Sequence, residues 1–384
     1  MQTVTNIEDL RQIARRRIPR TLFDYVDRGS YDEVTLRSNR SDLEAIRLRQ
    51  RVLVDVSKIS LATAMLGEEV SMPVAIAPTG MTGLIHGDGE MLGARAAEAA
   101  GIKFCLSTMS ICTIEDVREV VEKPFWFQLY VFRDRGFSRS VIERARAVNC
   151  SALFVTVDLP MRGQRHKDIK NGLTVPLRIS LRNVLDVATK PAWATSVLRA
   201  RRRGFGNVEA FLKGQGFRGQ AGIMQSGSWA NENYDRTLNW RDIDWVRSLW
   251  PGKLVLKGIL DVEDAKRAAS AGVDAIVVSN HGGRQLDGAR STIASLPAIA
   301  DAVGDRIEVL FDGGIRSGQD VLKALASGAR GCMIGRAFLY GLAAGGEAGV
   351  RRTLDLIRAE LEVSMALTGQ CDVKSITPDV IIPR

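Results

Sequence analysis

The chain has 384 residues, 45% of them hydrophobic and 25% charged, with a formal net charge of +9. That composition excludes a disordered chain and provides for a large core. A membrane-spanning helix is excluded because no run of about 18 apolar residues occurs. Met1–Leu10, with Glu8 and Asp9, does not read as a secretory signal, so a cytoplasmic protein is expected.

The first segment, residues 1–72, reads as an N-terminal helical cap. A helix is expected over Ile7–Ile18, and Pro19 opens a second one through Tyr25 and Val26. From Pro73 onward, short apolar runs alternate with amphipathic stretches. The runs are Pro73–Pro78, Lys103–Ser107, Phe125–Tyr130, Ala152–Val157, Leu254–Lys257, Ala275–Ser279, Glu308–Phe311 and Gly331–Gly335. Helices are expected over Thr113–Val121, Ser138–Val148, Val262–Ala271, Thr292–Val303 and Gly318–Ser327. Gly101, Gly272 and Gly328 stand where helix C-caps belong. Repeated βα units with continuous apolar strands predict an α/β fold, a (β/α)8 TIM barrel, as a single domain over 1–384. Residues 170–239 interrupt the repeat after the fourth strand and read as a long loop.

The cysteines, Cys105, Cys112, Cys150, Cys332 and Cys371, are odd in number and contain no C-x-x-C. Neither a disulfide framework nor a structural metal site is expected. The positive charge favours anionic partners, but no nucleic-acid-binding motif accompanies it, so nucleic acid is not an expected partner.

Active-site groups of such barrels lie at the C-terminal ends of the strands. Those ends carry Thr79, Ser107, Gln128 with Tyr130, Thr156 with Asp158, Lys257, Ser279 with His281 and Arg284, Asp312 with Gly313 and Gly314, and Gly335 with Arg336. His281, between Asn280 and two glycines, is placed for proton abstraction near neutral pH. Arg284 offers a guanidinium fork that matches a carboxylate. Asp158 either orients the His281 ring or caps the next segment. Asp312, Gly314, Arg316, Gly335 and Arg336 form a phosphate-type site at the last two strands. Lys257 fits a Schiff base, a phosphate ligand or a cation beside a flavin.

Taken together, Phe23-Asp24-Tyr25, Ala77-Pro78-Thr79, Gln128-Leu129-Tyr130, Thr156-Val157-Asp158, Lys257-Gly258, the Ser279–Asp287 run SNHGGRQLD, Asp312–Arg316 and Gly335-Arg336 resemble the FMN-dependent L-2-hydroxy-acid oxidase and dehydrogenase family. Leu106-Ser107-Thr108, Trp126–Tyr130, Arg133–Phe137 and Arg336–Tyr340 are similar to its bacterial respiratory L-lactate dehydrogenase branch. The resemblance implies FMN as cofactor. It makes His281, Asp158 and Tyr130 catalytic, and gives Tyr25, Tyr130, Arg165 and Arg284 to the substrate. Thr79, Ser107, Gln128, Thr156, Lys257, Ser279, Asp312, Gly314, Arg316, Gly335 and Arg336 would surround FMN. The implied reaction is oxidation of a small L-2-hydroxy acid, L-lactate to pyruvate, with electrons passing to quinone or another carrier. An H2O2-producing oxidase and a mandelate-type dehydrogenase are the alternatives. A homotetramer is implied by analogy.

Within 170–239, Trp193, Val197, Leu198, Phe205, Val208, Phe211 and Leu212 alternate with Arg199, Arg201, Arg202, Arg203 and Lys213. This pattern fits either a basic lid packed on the barrel or a segment lying on anionic lipid, peripherally at the inner face of the cell membrane.

Overall fold

A computed structural model of the chain describes residues 3–173, 178, 180–216 and 222–383. Asn6 caps the first helix, α1 (Ile7–Arg17), by accepting from the Asp9 backbone N–H at 2.9 Å. Pro19 then starts α2 (Arg20–Asp27), which is followed by α3 (Val34–Ala45). These helices form the N-terminal cap.

Next comes a hairpin, β1 (Thr63–Met65) and β2 (Glu68–Val70), that the sequence reading missed. Its two loop residues, Leu66 and Gly67, both have positive φ (53° and 78°), the backbone of a tight turn matched to strand twist. It covers the end of the barrel where the strands begin. Glu68 pairs with Lys103 and accepts from Trp126 Nε1 at 2.9 Å and Ser151 Oγ at 2.8 Å. Met65 packs against Gly331.

The eight expected strands form a closed parallel barrel: β3 (Val74–Ile76), β4 (Lys103–Ser107), β5 (Trp126–Leu129), β6 (Ala152–Thr156), β7 (Lys253–Ile259), β8 (Ala275–Val278), β9 (Glu308–Asp312) and β10 (Gly331–Ile334), with β10 pairing β3. Alternate residues separate two cores. Ala75, Cys105, Trp126, Phe154, Val277 and Met333 fill the barrel with Met65 and Leu66 of the hairpin. Ile76, Leu106, Phe127 and Val155 face the surrounding helices.

The helices between and after these strands are α4 (Thr82–Ile85), α5 (Gly89–Ala99), α6 (Ile114–Arg118), α7 (Arg135–Ala147), α8 (His166–Lys170), α9 (Leu181–Ala188), α10 (Pro191–Arg199), α11 (Gly206–Gly214), α12 (Gly222–Glu232), α13 (Trp240–Leu249), α14 (Val262–Ser270), α15 (Thr292–Val303), α16 (Gly318–Ala326) and α17 (Arg336–Leu367). α7 starts earlier than expected because Asp134 caps it, accepting from the Phe137 N–H at 3.0 Å.

The segment expected as a long loop contains four helices, α9 to α12, although Pro176 and the rest of 174–177, 179 and 217–221 lie outside the described residues. Its expected apolar face needs correction. Phe205 and Val208 are buried, and Phe211 packs edge-on to Phe137 of α7. Arg201 and Arg202 pair with Asp116 of α6, whose capping box with Thr113 holds the carboxylate in place. This stretch is therefore clamped to the barrel. Among the described residues of α8 to α12, the large apolar side chains left in solvent are Ile169 of α8, Leu181, Val184 and Leu185 of α9, Leu198 of α10 and Met224 of α12.

Candidate active site

Eight strand ends surround a cavity, which Tyr25 of α2 and Met224, Asn231 and Tyr234 of the excursion complete. The two halves of a proton-transfer pair come from strands on opposite sides of a gap. Asp158 follows β6 and His281 follows β8, and between them runs β7. His281 Nδ1 lies 3.0 Å from Asp158 Oδ1, and this contact leaves Nε2 as the other ring nitrogen of a cavity-lining residue. The His281 backbone is left-handed (φ 58°), a strained state for a residue with a side chain. Ser279 Oγ helps hold it, accepting from the His281 N–H at 3.1 Å and from Lys257 Nζ at 2.9 Å. Lys257 also pairs with Asp312, so strands β7, β8 and β9 are tied at their ends.

Beside His281 stand Arg284 and Arg165. Both guanidinium groups lie against the Tyr25 ring, at 4.7 and 5.9 Å from its centre. Arg284 donates to the carbonyl oxygens of Tyr25 (2.5 Å) and Arg28 (3.1 Å). Burial pushes the Arg165 pKa down to about 10, with the charge of Arg284 adding to it; Arg284 is lowered for the same main reason. Two cations crowded in a poorly solvated wall are a receptor for an anion. Burial pushes Tyr130 well above the usual phenol range, aided by Tyr234 and Asp158, so it remains a hydroxyl donor at neutral pH.

At the other end, Thr79, Thr156, Asp312, Gly314, Arg316, Gly335 and Arg336 line the same cavity. Ser107 and Gln128 lie one layer back, with Ser107 Oγ donating to Gln128 Oε1 at 3.0 Å. Arg336 does not leave its guanidinium free. It donates to the carbonyl oxygens of Val26 (2.8 Å), Gly282 (2.8 Å) and Arg28 (2.9 Å), and so staples the cap to the barrel. The Arg316 guanidinium donates only to Ile315 O among the described residues. The sequence reading missed Arg162, Asp168 and Tyr234, which also line the cavity. They lie in or beside the irregular excursion, where no periodic pattern marks a residue as inward-facing.

A parallel barrel with an anion site at its last two strands and a carboxylate receptor beside a His–Asp pair defines a class of phosphate-cofactor enzymes acting on small acids. The comparisons narrow the class. A family model described as FMN-dependent dehydrogenase matches residues 14–383. The L-lactate dehydrogenase of Caulobacter vibrioides is 50% identical over 383 residues, 99% of this chain and 98% of that protein. That of Ectopseudomonas mendocina is 47% identical over 376 residues, 97% of each chain. The crystal structure of the monotopic membrane protein (S)-mandelate dehydrogenase superposes with a TM-score of 0.93 at 36% identity, covering 100% of both chains. The chain belongs to the FMN-dependent dehydrogenase family.

The residues present fit FMN. Gln128 Nε2 and Asp312 Oδ1 are buried without a hydrogen-bond partner, a donor and an acceptor at the barrel mouth. Such atoms call for a polar ligand. Gly313, Gly314 and Gly335 line the phosphate end, the first two with positive φ (105° and 106°) and Gly335 with nothing nearer than 3.9 Å to an added Cβ, and Arg316 supplies charge there.

Proposed function

We propose that this chain oxidises a short L-2-hydroxy acid of the L-lactate type to the 2-keto acid, with His281 as the base. The carrying observation is the His281–Asp158 contact at 3.0 Å beside the Arg165–Arg284 receptor. Arg165 and Arg284 hold the carboxylate, and Tyr25 and Tyr130 hold the 2-oxygen. With Nδ1 engaged by Asp158, His281 takes a substrate proton at Nε2, and the Asp158 carboxylate stabilises the imidazolium that results. FMN, when bound, would supply the acceptor for the two electrons and the second hydrogen that the substrate gives up. Thr79, Thr156, Lys257, Ser279, Arg316 and the Gly314 and Gly335 backbones would hold it, Gln128 and Asp312 would offer it their unpartnered atoms, Ser107 orients Gln128, and Arg336 would act through its backbone N–H. The relatives named L-lactate dehydrogenase support this substrate class.

The proposed acceptor is a quinone, reached from the inner face of the cell membrane. The exposed Leu181, Val184, Leu185 and Leu198, flanked by Arg182 and Arg199, support a peripheral contact, as does the monotopic structural relative. Among the described residues no helix is long and apolar enough to cross a membrane.

The deciding experiment is His281→Gln. The variant should bind FMN, and L-lactate should reduce it about 10²–10⁴-fold more slowly in stopped flow. Reduction at the wild-type rate would remove His281 as the base.

A further inference from the structure

A receptor for one carboxylate needs one pair of cations, and this cavity has three at its substrate end. Arg162 lines it alongside Arg165 and Arg284. Its charge adds to the burial that lowers both of those guanidinium groups, and it also acts on the Tyr234 phenol. The three differ in their partners. Arg165 has Asp168 at 3.7 Å, and Arg284 has two backbone carbonyls. Among the described residues, Arg162 forms no ion pair and no side-chain hydrogen bond.

Arg162 is also not on a loose stretch of chain. Gln285, one residue after Arg284, donates through Nε2 to the carbonyl oxygens of Asp158 (2.7 Å) and Met161 (3.1 Å). Its Oε1 accepts from the Gly163 N–H at 3.1 Å. A Cβ at Gly163 would lie 2.6 Å from the Arg284 carbonyl oxygen, so only glycine permits this approach. The backbone on both sides of Arg162 is thus pinned to the segment that carries His281 and Arg284. Arg162 is exposed, so its guanidinium stands at the open rim of the substrate cavity on a pinned backbone, where it matches an anion that the substrate itself brings.

We propose that Arg162 forms a second anion subsite, and that the preferred substrate is a short 2-hydroxy dicarboxylate. This rests on the 2-hydroxy-acid reading above. Arg165 and Arg284 hold the carboxylate next to C2. Arg162 holds the carboxylate at the far end of the side chain, which is bound and not altered. A methyl side chain, as in lactate, leaves Arg162 facing water.

The test uses the FMN-loaded enzyme with L-lactate, L-malate and L-2-hydroxyglutarate, in wild type, Arg162→Met and Arg162→Lys. We expect at least one dicarboxylate to be oxidised with kcat/KM at or above that of L-lactate. Arg162→Met should lower the dicarboxylate-to-lactate ratio of kcat/KM by about 10- to 100-fold, the range of one charge-assisted contact, and Arg162→Lys should restore part of it. Titrating the oxidised flavin absorbance with 2-oxoglutarate and with pyruvate gives a binding readout free of turnover; only 2-oxoglutarate should weaken in Arg162→Met. Oxidation of lactate and neither dicarboxylate would overturn the subsite, as would equal losses for all three acids in Arg162→Met. Both results leave the 2-hydroxy-acid reading standing. Failure of the wild-type enzyme with every acid would overturn that reading, and the subsite with it.

Discussion

Asp158 reaches His281 past a single residue of the intervening strand, Gly258. A Cβ at Gly258 would lie 2.6 Å from both Cβ and Cγ of Asp158, and its φ is 110°. Gly258→Ala should therefore displace the carboxylate without changing any ionisable group. We expect it to slow flavin reduction in the same direction as Asp158→Asn, which should itself cost about 10²–10⁴-fold, with FMN content retained in both. Stopped-flow reduction checks this; a Gly258→Ala enzyme with wild-type rates would show that the carboxylate has room to move. Much at this scale was legible from sequence. His281 and Arg284 announced themselves because glycines flank them at a strand end. Arg162 and Tyr234 did not, since their approach to the cavity depends on Gln285 bridging two loops and on the Phe132–Tyr234 bridge, both contacts between residues far apart in the chain.

The barrel strands were legible because they are buried on both faces, so each is a continuous apolar run. The β1–β2 hairpin was not, because its strands have three residues each and include Glu68 and Glu69. Met65, Leu66 and Val70 bury its apolar side in the barrel, and Glu68 ties its polar side to the strand ends. Glu68→Ala leaves Lys103 beneath the barrel without its carboxylate, and we expect a loss of about 2 kcal/mol in urea unfolding, discounted because Glu68 is 25% exposed. The rate of flavin reduction should not change, since the hairpin lies at the opposite end from the cavity. The clamp on α6 responds to pH. Burial raises the Asp116 pKa, but the hydrogen bonds from Arg202 and Thr113 outweigh it and the net shift is downward. A depressed carboxyl contributes stability above its unfolded value, and the contribution is lost as pH falls through the ordinary aspartate range toward the folded value. Limited proteolysis at acid pH should cut residues 200–212 before the barrel, and Asp116→Asn should move that sensitivity to neutral pH. Equal protection of both enzymes at pH 7 would deny the clamp a role.

The molecule as a whole carries +9, and its exposed apolar side chains on α9 and α10 sit in that positive field. Binding to vesicles containing anionic lipid should weaken at high salt and be lost in Leu181→Asp/Leu185→Asp, while dye-linked oxidation in solution persists. Binding that survives both changes would place the contact elsewhere. The staple made by Arg336 has a consequence for biosynthesis. Arg336 and Val26, which it joins, are 310 positions apart. Asp27 meets Arg11 of α1 and Tyr340 of α17, so the earliest helices made rest on the last one. A nascent chain can complete most of the strands and still lack the wall that presents Tyr25. A polypeptide stalled before residue 336 would carry Arg165 and Arg284 without the staple that sets Tyr25 beside them.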